Sequence, residues 1–288
     1  MQTSPKDLAC TKKSLKRKVL SKILILLYHR LLSKEEYLSK INSEDRVYLS
    51  KEEDFARQLE YLHSEKWNSV SVNQLLESLK NKTSLPEKSL IISFDDGNQT
   101  DYTIAFPLLE KLGFKATFFL TSDFIDKPDH LSKSQILKMS QAGMEFGTHG
   151  KTHKFLSTLN ENELKLELLE SKKSLEEITG KKIELLSLPG GYHSSEVKRM
   201  AQELGYKGIC TSKFGLNENN ADPFELKRIS LRFDDPFSQF ISIVNQDKKF
   251  YLTKKLRDNF LSFLKAILGP NNYFKLWNFC QRISNKSS

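Results

Sequence analysis

The sequence predicts an α/β fold in which a parallel sheet curls into a closed or nearly closed barrel. Short apolar runs rich in β-branched and aromatic residues alternate with longer amphipathic stretches through most of the 288 residues. Alternation of that kind marks βα units around a parallel sheet. One run, Leu90-Ile91-Ile92-Ser93-Phe94, ends directly on two carboxylates, Asp95 and Asp96. The C-terminal end of a buried strand is where barrel enzymes keep their chemistry.

Strands are expected near 23–28, 90–94, 116–120, 144–147, 185–188, 208–211 and 229–231. The run at 90–94 follows the breaker Pro86 and reads as a buried strand. Helices are expected over 51–65, 102–112, 132–142, 161–179 and 194–204, with Pro107 kinking or breaking the second. The fourth is strongly amphipathic and stops at Gly180, as a helix should. There is no internal repeat, low-complexity tract or long linker, and 38% hydrophobic residues suffice for one full core. The organisation expected is a basic segment at 1–22, the barrel at 23–235 and a basic, amphipathic helical tail at 236–288.

Charge is uneven. Residues 1–22 hold seven basic and one acidic side chain and residues 241–288 hold nine and two, so with a total of +9 the intervening 23–240 is left at −4. A nucleic-acid-binding domain would carry its positive charge on the functional body, so nucleic acid is not expected as a partner. In the tail, Leu256, Phe260, Phe263, Leu264 and Ile267 share one helical face near Lys254, Lys255 and Arg257. Such a face either packs on the barrel, as amphipathic helices commonly do, or lies in an anionic bilayer interface. The apolar run Ile23–Leu27 is too short for a signal-peptide core, and no run reaches the eighteen or so apolar residues of a membrane span. Three well-separated cysteines, Cys10, Cys210 and Cys280, make no disulfide framework. The expected location is cytoplasmic, with possible peripheral attachment to a membrane through the basic ends.

The chemistry concentrates in two stretches. Ser93-Phe94-Asp95-Asp96-Gly97 supplies adjacent carboxylates, and Gly147-Thr148-His149-Gly150-Lys151-Thr152-His153 supplies two imidazoles four residues apart. A catalytic site of the zinc type uses three protein ligands and keeps one position open, a requirement that Asp96, His149 and His153 fill. Asp95 is then available as general base. Each piece alone has a plainer explanation, since Asp-Asp-Gly also makes ordinary turns and histidine pairs also serve structural roles. Zinc proteases place their histidines on a helix as His-Glu-x-x-His. Here Gly147 and Gly150 disfavour a helix, so the pair belongs to a loop after a strand.

With these motifs the chain resembles the polysaccharide deacetylases of carbohydrate esterase family four. Their Thr/Ser-Phe-Asp-Asp-Gly and His-x-x-x-His motifs match, Ala116-Thr117-Phe118-Phe119-Leu120 resembles the following strand, and Leu188-Pro189-Gly190-Gly191-Tyr192 resembles their Pro-x-Gly motif. The resemblance spans roughly 23–235 and implies a distorted (β/α) barrel of the polysaccharide deacetylase type. The apolar run ending in Tyr28-His29 resembles the first strand of a circularly permuted subgroup. That likeness makes His29 the general acid.

The resemblance further implies that a divalent metal, with Zn2+ first and Co2+, Ni2+ or Mn2+ as alternatives, helps water attack an N-acetyl carbonyl. In this scheme the Gly190 N–H faces the oxyanion, and Tyr192 offers an aromatic face to a sugar. The products would be acetate and a free amino sugar from a polysaccharide, oligosaccharide or lipid-linked glycan. Two departures stand out. Many members carry Arg two residues before the motif proline to orient the base, where this chain has Ser187; Arg228 or Arg232 would have to take over. The residue after the first histidine, often Ser or Thr, is Gly150. Other readings of the same residues are an O-acetyl esterase, another C–N hydrolase, or a carbohydrate-binding protein that has lost catalysis.

Overall fold

The computed structural model describes residues 22–38 and 45–256. Ten strands appear among them: β1 (Leu24–Tyr28), β2 (Arg30–Leu32), β3 (Leu49–Lys51), β4 (Asn68–Ser69), β5 (Ser89–Phe94), β6 (Thr117–Leu120), β7 (Glu145–Thr148), β8 (Leu185–Ser187), β9 (Gly208–Cys210) and β10 (Ile229–Ser230). Helices accompany them: α1 (Lys34–Leu38), α2 (Glu52–Ser64), α3 (Val72–Asn81), α4 (Phe106–Lys111), α5 (Lys133–Gln141), α6 (Glu161–Thr179), α7 (Ser195–Glu203) and α8 (Phe237–Val244), and residues 248–256 are helical as well. Phe260, Phe263, Leu264 and Ile267 of the expected tail lie outside the described part. The main sheet runs β10-β1-β5-β6-β7-β8-β9, with β4 also on β5, and every pairing is parallel.

The sheet is drawn round on itself by one short segment. Leu226 bridges Cys210 at the β9 edge, donating to Ile209 O at 2.9 Å while Thr211 N donates to Leu226 O at 2.8 Å. Three residues later β10 pairs with β1, Ile229 opposite Leu26. This is the near closure that the alternating sequence leads one to expect.

Period-two alternation sorts each strand between two layers. Leu24, Leu26, Tyr28, Leu90, Ile92 and Phe94 join the core cluster shared with Phe55 and Leu59 of α2. Ile23, Ile25, Ile91, Phe119 and Leu185 form a second cluster, inside the curl. Aromatic rings knit the outer layer, Phe94 stacking on Phe118 at 5.0 Å and Tyr28 on Phe94 at 5.3 Å. The alternation that points Ile91 inward also points Ser93 and Asp95 inward, which begins the construction of the site.

Several elements depart from the expectation. Helix α3 was not anticipated, although Ser71 and Gln74 form its capping box and Val72, Leu75 and Leu76 bury one face. A separate parallel pair, β2 with β3, was likewise missed; its strands are three residues long, too short for periodicity to register. The single helix expected over 102–112 is divided next to Pro107. Pro107 lies in the first turn of α4, immediately after a π-helical turn at Asp101–Ala105, where its absent N–H costs nothing. The body also runs past residue 235, because Phe240, Ile243 and Val244 of α8 are buried in the same core as α2.

Glu145 at the start of β7 ties two layers together. Its carboxylate accepts from the N–H groups of Val72 and Asn73 at the head of α3, at 2.8 and 3.1 Å, and from Thr117 Oγ1 at 2.6 Å. An anion at a helix N-terminus satisfies orphan donors and the helix dipole together. Glu145→Ala is expected to lower stability by about 1–2 kcal/mol, read as an earlier midpoint in denaturant unfolding with an unchanged slope.

Candidate metal centre and base

The site occupies the C-terminal ends of β1, β5, β7 and β8. Asp95 follows β5 and is buried, its N–H donating to Tyr28 O at 3.1 Å. Its Oδ1 accepts from Arg228 Nη1 at 2.8 Å and its Oδ2 from Nη2 at 2.7 Å, a bidentate pair. Ser187 Oγ also donates to Oδ2, at 2.9 Å, and accepts from Nη2 at 2.8 Å. Arg228 Nε donates to Thr211 O at 3.0 Å. Arg228 stands just before β10 and reaches the mouth from inside the curl. Of the two candidate cations it is the one beside Asp95, while Arg232 is exposed and its backbone N–H bonds Asp235.

Burial works to raise the Asp95 carboxyl, but the charges of Arg228 and His149 and the guanidinium hydrogen bonds hold it well below the usual carboxylate range. Asp95 therefore stays ionised although it is enclosed. A buried charge is tolerable only with such partners.

Asp96, His149 and His153 converge, with one potential ligand atom from each lying within 4.8 Å of the others. Asp96 Oδ1 lies 3.4 Å from His149 Nε2 and 3.3 Å from His153 Nε2. The outer nitrogen of His149 is engaged, Nδ1–H donating to Ser187 O at 3.0 Å. That bond sets the tautomer and leaves Nε2 free to ligate, the usual arrangement around a metal-binding histidine. A carboxylate oxygen and two imidazole nitrogens suit a zinc-type ion. Burial pushes His149 down; the Asp96 hydrogen bond pushes His153 up.

Backbone strain supports the cluster. Asp96 has φ 79° and His153 φ 63°, left-handed values that cost non-glycine residues energy and collect at functional sites. Gly97 beside them has φ 78°, and a Cβ there would come 2.8 Å from Leu120 Cδ2, so the turn admits glycine alone.

The histidine loop is braced from below by a residue the sequence analysis missed. Glu167 of α6 is buried, and its carboxylate accepts from Lys151 N at 2.7 Å, Thr152 N at 2.9 Å and Thr152 Oγ1. The bracing that a hydroxyl at position 150 could give thus comes from α6. A signal existed: Glu167 sits in the core-facing stripe Leu164, Leu168, Ser171 and Leu175, and a carboxylate in such a stripe requires a partner.

His29 follows β1, its ring edge-on to Tyr48 at 5.2 Å. Burial lowers its pKa against the opposing pull of Asp96 and Asp95, and its Nδ1 is buried with no partner among the described residues. Gly190 adopts φ 67° beneath two rings; a Cβ there would meet Phe155 Cε1 at 2.6 Å and Tyr192 Cδ2 at 3.1 Å. Tyr192 is exposed and meets Phe155 edge-on at 5.1 Å. Phe155 was not anticipated, although it lies only two residues beyond His153. His193, next to Tyr192, is tucked in, its Nδ1 4.0 Å from Glu225.

The fold and the site define a class, a parallel βα barrel with a candidate divalent-metal centre and an ion-paired second carboxylate at its mouth. Within that class the family model described as polysaccharide deacetylase matches residues 82–209 of the chain. YxkH of Bacillus subtilis (strain 168), named for the same family, is 27% identical over 209 residues, 73% of this chain and 71% of its own. The poly-β-1,6-N-acetyl-D-glucosamine N-deacetylase of Staphylococcus aureus (strain MSSA476) is 27% identical over 240 residues, 76% and 81% of the two chains. The fold is shared with Streptococcus pyogenes deacetylase PplD, with a TM-score of 0.71 at 23% identity over 78% of this chain and 99% of that one.

Two outcomes follow from this geometry. Glu167→Ala should leave a folded protein whose affinity for Zn2+ falls about 10–100-fold, as losses of outer-shell support do, measured by competition with a chromophoric chelator. Arg228→Met should cost about 3–5 kcal/mol at neutral pH by leaving Asp95 charged and alone. Because Asp95 is depressed in the wild type, the pair's contribution is complete above the unfolded carboxyl pKa, about 3.9, and fades as pH falls below it. Denaturant unfolding of both proteins should accordingly show a gap that is widest near pH 7 and narrows below about pH 4.

Proposed function

We propose that the protein is a metal-dependent hydrolase that removes N-acetyl groups from amino sugars of a glycan, with Asp95 as general base and His29 as general acid. The observation that carries this reading is the ionised, buried Asp95 adjoining the convergent Asp96, His149 and His153. The names of two relatives support the substrate class. The Staphylococcus aureus enzyme is named for poly-β-1,6-N-acetyl-D-glucosamine, and a Bacillus cereus relative, 33% identical over 127 residues, for peptidoglycan N-acetylglucosamine.

Asp96, His149 and His153 would hold the divalent ion, Zn2+ first on donor chemistry and Co2+, Ni2+ or Mn2+ as alternatives. When bound, such an ion polarises a carbonyl and brings the pKa of water down toward about 7. Asp95 receives the proton of the attacking water. A carboxylate offers about four acceptor sites, and Arg228 and Ser187 occupy three, which leaves one for that proton. Arg228 and Ser187 orient the base and take the part of the motif arginine. His29 gives a proton to the nitrogen as the C–N bond breaks, so that water and the N-acetyl sugar become acetate and the amino sugar. The Gly190 N–H would face the oxyanion, and Tyr192 with Phe155 would support a sugar face. His29 standing at the end of β1, beside β5 in the sheet, supports the permuted-subgroup reading.

Metal-loaded wild type is expected to release acetate from N-acetylglucosamine oligomers, with Asp95→Asn lowering kcat by about 10²–10⁴-fold and a chelator abolishing release until metal is restored. Undiminished release by Asp95→Asn would refute the assignment of the base. Release from O-acetylated glycans alone would establish an esterase.

A further inference from the structure

The β2–β3 pair stands apart from the main sheet, and its register sets Tyr48 beside His29. Arg30 lies opposite Leu49, Leu31 opposite Ser50 and Leu32 opposite Lys51. One step earlier on each chain stand His29, just past β1, and Tyr48, the last residue of a 3-10 turn over Asp45–Tyr48. Parallel pairing therefore delivers the two rings side by side, their centroids 5.2 Å apart and their planes at 75°.

The Tyr48 strand is fastened to the body from behind. Ser50 Oγ donates to Leu231 O at 3.2 Å and Phe233 N–H to Arg46 O at 3.4 Å. Arg46 Nη1 pairs with Asp234 Oδ1 at 3.1 Å, while its guanidinium and the Lys51 ammonium lie 5.0 and 4.7 Å from the centre of the Phe233 ring. On the other strand Leu31 N–H donates to Thr100 Oγ1 at 3.3 Å. Residues 231–234 follow directly on β10, so the stretch that brings Arg228 to the base is continuous with the one that holds a ring next to the acid.

Two histidines at the mouth are held in different ways. His149 is fixed by its Nδ1–H on Ser187 O. His29 Nδ1 is buried with no hydrogen-bond partner among the described residues, so no such bond stops its ring from turning about the Cβ–Cγ axis. A general acid must bring one nitrogen to within about 2.6–3.2 Å of the atom it protonates, and packing is what remains to set that angle. Tyr48 supplies it, since an edge-on aromatic contact has a preferred geometry. Tyr48 is itself 58% exposed, so the core depends little on it and its replacement should leave the fold intact.

We propose that Tyr48 is a positioning residue, whose ring holds the His29 imidazole in the orientation from which it protonates the leaving nitrogen. This role rests on the reading of His29 as general acid in a deacetylase. The contact is made by the ring, so the hydroxyl of Tyr48 is dispensable to it. The β2–β3 pair is then the device that carries this ring to the acid, and its straps to 231–234 keep the ring in place.

Acetate release from N-acetylglucosamine oligomers by the metal-loaded full chain tests it, comparing wild type with Tyr48→Ala, Tyr48→Phe, His29→Ala and the Tyr48→Ala/His29→Ala double variant. Tyr48→Ala is expected to lower kcat about tenfold or more with KM and melting temperature little changed, as a misplaced catalytic group does. Tyr48→Phe, which keeps the ring, should recover most of that loss. In the His29→Ala background the loss of Tyr48 should cost nothing further, because it acts through His29. A loss carried by KM, an equal loss in the His29→Ala background, or a Phe variant as poor as the Ala variant would overturn the proposal. The proton–carbon NMR signals of the His29 ring give a readout that needs no turnover, and they should move in Tyr48→Ala and stay near wild type in Tyr48→Phe. No acetate from wild type would sink the deacetylase reading and the acid role with it; unmoved His29 signals in Tyr48→Ala, beside an active wild type, would sink the positioning role alone.

Discussion

The ion pair between Asp95 and Arg228 is the constraint around which the barrel mouth is organised. Two charges buried together are stable only if every strong donor and acceptor is met. Here the demand recruits Ser187 from β8, Thr211 O from the end of β9 and the backbone ahead of β10. The same stretch, 226–230, joins the two edges of the sheet. Closure and charge compensation are one event: moving this segment out would open the curl and strand the carboxylate.

Ser187 then acquires a definite role. Its hydroxyl bridges Asp95 and Arg228 while its carbonyl receives His149 Nδ1–H. One small residue thus connects the carboxylate side of the site to the imidazole side. An arginine at 187 would bring a second guanidinium into the volume that Arg228 fills, so the two positions are alternatives in space. What Asp95 receives is a planar pair of donors, supplied here from the segment ahead of β10.

Much of this was legible in the chain. The seven main parallel strands and five of the helices follow from hydrophobic period and from stops such as Gly180, because burial of one face enforces that period. Asp95, Asp96, His149 and His153 were readable since their spacing is local. What escaped was non-local or short: Glu167 reaching up from α6, Phe155 meeting Tyr192 over Gly190, and the three-residue strands β2 and β3. The choice between Arg228 and Arg232 also required three dimensions, because both flank β10 and only the inward one meets the carboxylate.

Strain and support are matched at the cluster. Asp96 and His153 both hold left-handed backbone, a conformation each would leave if its surroundings allowed. Around Asp96 the turn is held by Gly97 against Leu120 and by Asp95 N–H on Tyr28 O. Around His153 it is held by the Glu167 carboxylate, which gathers the two preceding N–H groups, Lys151 and Thr152. The ligand atoms thus approach one another because separate anchors, on β1 and on α6, pull the two loops together. A site assembled in that way is preorganised for an ion, and the energy that holds it is drawn from the fold rather than from the ligand.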